Sequence, residues 1–229
     1  MHQLINKKKI YFYILSFFIL TTIFNKNYFN SLSKSFLVKK IEVETDNDQI
    51  REKILNNTEG LINNNILSID KKTLVSKLNK LNFLKTINIT KSYPSTLVID
   101  LKVTKIIAIT YINQKKYFVG DNGKFILAKN FTNNNFLPVI FGKFNIPEFL
   151  ELKNKLKTEK IDQSKIIKYY YHKNKRWDIY FDNNIMLKLP NTKISSALKI
   201  YKNFKKNNKI YPNTVVDLRI VNRIILKNG

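Results

Sequence analysis

An uncharged apolar run close to the N-terminus constrains this chain more than any other feature of its sequence. The run covers about 15 residues, from Ile10 to Phe24, and directly follows Lys7-Lys8-Lys9. It is shorter than the roughly 20 residues of a typical spanning helix, but flanking lysines and aromatic residues can lengthen the usable span. A signal-peptide core has a similar length, yet no small-residue cleavage site follows. We predict an uncleaved transmembrane anchor over residues 10–29, after a tail over residues 1–9.

The lysines before the run predict the orientation of the anchor. Basic residues beside a hydrophobic segment favour the cytoplasmic side, and a long C-terminal domain translocates largely regardless of its own charge. We therefore expect a single-pass protein of a bacterial inner membrane, with a cytoplasmic N-terminus and the bulk of the chain in the periplasm.

The formal net charge of +25 suggests a nucleic-acid partner at first, but the kind of basic residue argues against one. Only four of the 41 basic residues are arginine, the residue whose planar fork reads bases and phosphates. Lysine, asparagine and isoleucine are abundant throughout, which indicates a compositional origin of the charge. The predicted late helix has a basic face, formed by Lys199, Lys202, Lys205, Lys206 and Lys209. Its aromatic residues fall on the apolar face instead, so we predict no nucleic-acid binding.

Residues 35–104 alternate between the hydrophobic periods of strands and helices. A strand is predicted over Ser35–Glu44, and Asp46 with Gln49 resembles a capping box at the start of a helix. Asp70 is the predicted N-cap of a second helix. Two strands follow, the last with alternating apolar residues at Leu97, Ile99, Leu101 and Val103. The order predicts a β-α-α-β-β module with two layers.

Residues 105–229 predict a second module, a mostly antiparallel β domain with two flanking helices. Asp121-Asn122-Gly123 lies between two short apolar runs, which is typical of a hairpin. Helices are expected to begin near Pro147 and Lys193. The fold class is therefore α+β, with an N-terminal transmembrane helix.

The order of these elements resembles the FtsQ/DivIB family of cell-division proteins over nearly the whole chain. In that family the β-α-α-β-β module is a POTRA domain, here residues 35–104, and residues 105–229 correspond to its β domain. The motifs that carry the resemblance are Phe36-x-Val38-x-x-Ile41-x-Val43, Gly60 before Asn65–Asp70, Tyr93–Ile99, Ile106-Ile107-Ala108, Asp121-Asn122-Gly123, Leu137-Pro138-x-Ile140-x-Gly142, Arg176-Trp177-Asp178, Leu187-x-Leu189-Pro190 and Val216–Arg219. At Ile106-Ile107-Ala108 the acidic-basic-proline lead that is usual in the family is missing.

The resemblance implies a scaffold at the division site that recruits other divisome proteins and catalyses no reaction. Its implied partners are anchored coiled-coil proteins of the FtsB-like and FtsL-like type, with no nucleic acid and no small-molecule substrate. The family's terminal strand is an exposed edge to which a partner adds a strand. The matching residues here are Ile220, Val221, Asn222, Arg223, Ile224, Ile225 and Leu226. We expect Ile220, Asn222, Ile224 and Leu226 to face one way and the other three to face the opposite way.

Two other readings stay open at this point. A POTRA-containing envelope protein could assist polypeptide transport or outer-membrane assembly, although such proteins usually repeat the module or add a barrel. A cell-wall hydrolase would need a carboxylate pair, for which Asp178 and Asp182 are the candidates. His172 stands among lysines, where a surface role is more common than general-base catalysis. We predict no catalytic, metal or cofactor-binding residue.

Overall fold

The chain has a mixed α+β architecture, with a small POTRA-like β-α-α-β-β unit and a unit built on one large sheet. The computed structural model describes residues 7–23, 34–130, 136–220 and 222–228. Its two units meet in the sequence between Val103 and Thr104.

The first element, α1, is the 17-residue helix Lys7–Ile23. Its apolar side chains from Ile10 to Leu20 are exposed and lie on every side of the helix. Among the described residues, no helix combines the length and the apolar character that crossing a membrane requires. Of the predicted tail and anchor, residues 1–6 and 24–29 lie outside the described residues.

The first unit contains a three-stranded sheet with two helices packed against it. Its strands are β1 (Lys40–Glu44), β2 (Leu84–Ser92) and β3 (Thr96–Val103). The central strand β3 is parallel to β1 and antiparallel to β2. Between β1 and β2 lie the helices α2 (Asp48–Thr58) and α3 (Lys71–Asn79). The predicted order of strand, helix, helix, strand and strand is therefore confirmed.

The two helix starts of this unit differ in how well they were predicted. Asp70 caps α3 as expected, because its carboxylate accepts hydrogen bonds from the N–H groups of Lys72 and Thr73 at 3.0 and 3.2 Å. The predicted cap Asp46 is wrong, since Asn47 Oδ1 accepts from the N–H of Ile50 at 3.0 Å. Asp and Asn cap helices equally well, so the sequence could not choose between two neighbours.

The first strand is shorter than the predicted range Ser35–Glu44. Val38 is fully buried, but its backbone bonds to a loop: its N–H donates to Asn64 and its carbonyl accepts from Asn63, both at 2.9 Å. The ladder with β3 therefore begins only at Lys40.

The second unit contains a nine-stranded sheet in the order β12-β11-β10-β9-β8-β7-β4-β5-β6. The strands are β4 (Ile106–Ile112), β5 (Lys115–Gly120), β6 (Phe125–Leu127), β7 (Val139–Phe141), β8 (Ile166–Tyr171), β9 (Trp177–Phe181), β10 (Met186–Lys188), β11 (Thr214–Asp217) and β12 (Ile225–Asn228). Most neighbouring strands are antiparallel, as predicted. The helices α4 (Ile146–Thr158) and α5 (Ile194–Asn207) form the crossovers of the parallel pairs β7–β8 and β10–β11.

The core of this unit lies between the sheet and its two helices. Phe149 on α4 contacts the rings of Tyr169 and Trp177, with ring centroids 5.1 and 5.8 Å apart. Leu198 and Tyr201 on α5 join the same buried cluster. Trp177 is 3% exposed, so it is a core residue and has no free face for a ligand.

Gly142 ends β7 at a position that only glycine can occupy. Its φ is +98°, and a Cβ atom there would lie 2.1 Å from the backbone oxygen of Tyr171. Glycine therefore allows β7 to end close against β8.

Candidate partner-binding edge

Strand β12 lies at one end of the nine-stranded sheet, beside β11. It pairs with β11, with Asp217 opposite Ile225 and Val216 opposite Leu226. No strand in the described part of the chain pairs with its outer side. Backbone N–H and C=O groups on such an edge can template another strand. We call the outer side of Ile225–Asn228 the β12 edge.

The hydrogen bonds of β11 fix which groups of β12 face outward. The N–H of Leu218 donates to the carbonyl of Lys188 on β10 at 2.9 Å. Because backbone groups alternate in direction along a strand, those of Asp217 point the other way, toward Ile225 on β12. The N–H and C=O of the next residue, Leu226, therefore face outward.

The side chains of β12 are apolar and substantially exposed. Ile225 is 37% exposed and Leu226 is 44% exposed. Leu226 shares a face with Val216, a core residue, whereas Ile225 lies on the opposite face beside Asp217. A strand added to the β12 edge would cover apolar surface on both faces.

The segment before β12 is a turn, whereas the sequence predicted one strand over residues 220–226. Asn222 has a φ of +58°, and the N–H of Arg223 donates to the carbonyl of Ile220 at 3.2 Å. The predicted strand alternation therefore does not hold at Asn222 and Arg223. The physical reason is the left-handed conformation of Asn222, which reverses a segment whose apolar residues alternate as in a strand. Val221 lies outside the described residues.

Several predicted partner-binding residues line a cavity beside the edge. Its volume is about 220 Å³, and Ile220, Asn222 and Arg223 line it together with the start of α5. Ile224 is half-buried and packs against the core. Of the predicted set, Ile225 and Leu226 lie on the strand itself.

A carboxylate–guanidinium contact fixes the end of β11. Arg219 Nε donates to Asp217 Oδ1 and Oδ2 at 2.8 and 2.9 Å, and the backbone N–H of Arg219 donates to Oδ1 at 3.0 Å. The side-chain hydrogen bonds from Arg219, followed by its backbone hydrogen bond, lower the pKa of Asp217, although burial opposes them. This contact holds the chain where it leaves the sheet and enters the turn.

The carboxylates considered for hydrolysis are not brought together. Asp178 is buried on β9, where its Oδ2 lies 2.8 Å from Nε2 of His172. Asp182 is exposed and lies in the turn after β9, four residues further along the chain. Within the described residues the structure therefore pairs Asp178 with His172 and not with a second carboxylate. Sequence reasoning missed the His172–Asp178 contact, which depends on the register between β8 and β9.

Three known proteins with similar sequences are each named cell division protein FtsQ. The chain is 22% identical over 174 residues to the cell division protein FtsQ of Rhizobium radiobacter, covering 71% of this chain and 78% of that protein. It is 22% identical to FtsQ of Agrobacterium fabrum and 25% identical to FtsQ of Rickettsia typhi, covering 71% and 66% of this chain. The chain spans 52% and 58% of the length of these two proteins.

A solved structure with a similar segment is the major extracytoplasmic domain of the trans isomer of the bacterial cell division protein DivIB from Geobacillus stearothermophilus. The match has 16% identity and a TM-score of 0.32, and it covers 47% of this chain and 99% of that one.

Two family models match consecutive parts of the chain. The model of the FtsQ-type POTRA domain matches residues 36–102, and the model of the C-terminal region of cell division protein FtsQ/DivIB matches residues 108–219. The second match ends before β12. Because both models occur in family order and together cover most of the sequence, the chain belongs to the FtsQ/DivIB family of cell-division proteins.

Proposed function

We propose that this chain is a non-enzymatic cell-division scaffold that recruits and links divisome proteins in the bacterial inner membrane. The observation that carries this proposal is the β12 edge, where the exposed side chains of Ile225 and Leu226 lie beside outward backbone groups that pair with no described strand. Exposed apolar residues on a sheet edge favour association with another strand.

The proposed interaction is β-augmentation. An extended segment of the partner forms backbone hydrogen bonds with the outward groups of Leu226, and its side chains contact Ile225 and Leu226 on the two faces of the sheet. The proposed partner is an anchored coiled-coil protein of the FtsB-like type, which also pairs with an FtsL-like protein. The backbone bonds supply affinity, and the side chains select the register.

The proposed topology has a cytoplasmic tail over residues 1–9, a transmembrane anchor over residues 10–29, a periplasmic POTRA domain over residues 35–104 and a periplasmic β domain over residues 105–229. Support for the anchor comes from α1, whose apolar residues leave no polar side along the helix. Such a helix favours lipid over water. Lys7, Lys8 and Lys9 favour a cytoplasmic start.

The position of a fluorescent fusion in growing cells tests the division role. The fluorescent protein is attached before Met1, so that it stays on the proposed cytoplasmic side. We expect a band at mid-cell when constriction begins. A variant with Leu15, Phe18 and Ile19 replaced by aspartate is the control, and we expect it to lose the band and the membrane signal.

An even signal of the unmodified chain around the envelope throughout division would overturn the division role. That outcome would instead favour a POTRA-containing factor that assists polypeptide transport or outer-membrane assembly.

A further inference from the structure

Five lysines from separate segments of the second unit surround one cavity. The cavity has a volume of about 270 Å³ and lies between the end of α4 and the second half of α5. Lys202, Lys205 and Lys206 come from α5, where spacings of three and four residues put them on one side of the helix. Lys160 and Lys165 come from the connection between α4 and β8.

The other lining residues give the cavity an apolar part. Phe181 and Tyr201 are 7% and 2% exposed, and Ile161 is half-buried. Burial also raises the pKa of the Tyr201 hydroxyl, which therefore stays neutral and adds no negative charge to the cavity. The basic groups thus surround a partly hydrophobic surface.

One carboxylate lies among these lysines. Asp162 accepts hydrogen bonds from Ser164 Oγ at 2.6 Å and from the Ser164 N–H at 3.1 Å. These bonds, followed by the charges of Lys165 and Lys205, lower the pKa of Asp162, so the group is ionised at neutral pH. Across the described ranges, Lys160, Lys202 and Lys206 form no ion pair. The cavity therefore keeps a strong excess of positive charge.

We propose that this cavity binds a ligand that carries two phosphate groups. Two phosphate groups together carry about −2 charges as diesters and about −3 to −4 as monoesters at pH 7, so either form offsets a large part of the excess of five lysines over Asp162. Lysine binds phosphate as a compact point charge. An acidic peptide would spread single charges along the chain at about 3.3 Å per residue, which suits a groove better than a cavity. The inference goes beyond the scaffold role and does not depend on it.

Calorimetric titration with inorganic pyrophosphate tests the site. The full chain is reconstituted in nanodiscs of phosphatidylcholine, and we expect saturable binding at one site. The variant Lys160→Gln/Lys202→Gln/Lys206→Gln is expected to bind about tenfold more weakly. The control Lys71→Gln/Lys72→Gln/Lys80→Gln changes exposed lysines around α3 and removes the same charge, so we expect its affinity to stay within about twofold.

Nonspecific attraction of pyrophosphate to the net positive charge of the chain is the alternative explanation. The two triple variants distinguish it from binding in the cavity. Equal weakening in both variants, unsaturable binding, or an unaffected cavity variant would each overturn the proposal. Thermal unfolding of the three proteins is measured alongside and is expected to coincide, because all six lysines are exposed.

Changing the lipid distinguishes a lipid headgroup from a soluble ligand as the source of the phosphates. Nanodiscs with cardiolipin, which has two phosphates, are compared with phosphatidylglycerol discs of equal charge. A further loss of pyrophosphate affinity in the cardiolipin discs would assign the site to a lipid headgroup. Equal affinity in both discs would assign it to a soluble ligand.

Discussion

The edge strands β2 and β12, one from each sheet, have opposite character. Edge strand β2 of the first unit has nine residues and a register irregularity between Leu84 and Thr86. Its exposed side chains are polar, namely Lys85, Thr86, Asn88, Thr90 and Ser92. The β12 edge is short and exposes Ile225 and Leu226. Polar residues and bulges protect an edge from pairing, so β2 has the character of a protected edge and β12 that of the proposed binding edge.

The residues before the two edges differ as well. The N–H of Leu84, at the start of β2, bonds to the carbonyl of Leu81 directly after α3. Strand β12 instead follows a turn that contains Asn222 and is preceded by the Asp217–Arg219 contact. Polar residues therefore precede the β12 edge, and the effect of their removal can be tested.

The largest expected effect comes from giving β12 the polar character of β2. The variant Ile225→Lys/Leu226→Lys should weaken binding of the FtsB-like partner about 100-fold, because two apolar contacts are lost. Calorimetry with the purified partner measures the change. The matched variant Asn88→Lys/Thr90→Lys adds the same charge to β2 and should bind as the unmodified chain does. Equal losses of partner affinity in the two variants would contradict the proposed difference between the β2 and β12 edges.

A smaller effect is expected in the turn before β12. Asn222→Ala should lower the free energy of unfolding by about 1 kcal/mol, since a left-handed conformation is costly for residues with a Cβ atom other than Asn and Asp. Asn222→Gly should be close to neutral, because glycine adopts this conformation freely. Urea unfolding compares the two variants. If alanine were tolerated as well as glycine, the turn would not set the start of β12.

The smallest effect concerns the contact between Asp217 and Arg219. The pKa of Asp217 is lowered in the folded chain, so its contribution to stability is present above the unfolded pKa near 3.8 and is lost as pH falls through the folded pKa. Asp217→Asn should cost a few tenths of a kcal/mol at pH 6. The difference from the unmodified chain should shrink toward pH 3. Thermal unfolding at both pH values checks this, and a constant difference would contradict the assignment.

The sequence predicted those parts of the fold that depend on local periodicity. Leu97, Ile99 and Leu101 alternate in the sequence and are buried on β3. Ile194 and Leu198 have helical spacing and are buried on α5. In both cases one face of the element packs in the core and the other is more exposed. The buried positions therefore repeat with the period of the strand or helix.

The turn at Asn222 and Arg223 could not be predicted in the same way. Its residues alternate as a strand does, and the left-handed conformation of Asn222 is a local choice that hydrophobic spacing does not record. Hydrophobic spacing could not predict the cluster of Lys160, Lys165 and the lysines of α5 either. Its members come together through the crossover packing of the sheet, which depends on contacts between distant segments.

A pair of substitutions at Leu226 tests most directly whether a partner strand bonds to the outward backbone of this residue. Leu226→Thr removes the apolar side chain and keeps the N–H, whereas Leu226→Pro also removes the N–H on the side of the sheet where an edge proline is tolerated. Calorimetric affinity for the FtsB-like partner is measured for both variants. We predict that proline weakens binding at least about tenfold more than threonine does. Equal affinities of the two folded variants would contradict strand addition at the β12 edge.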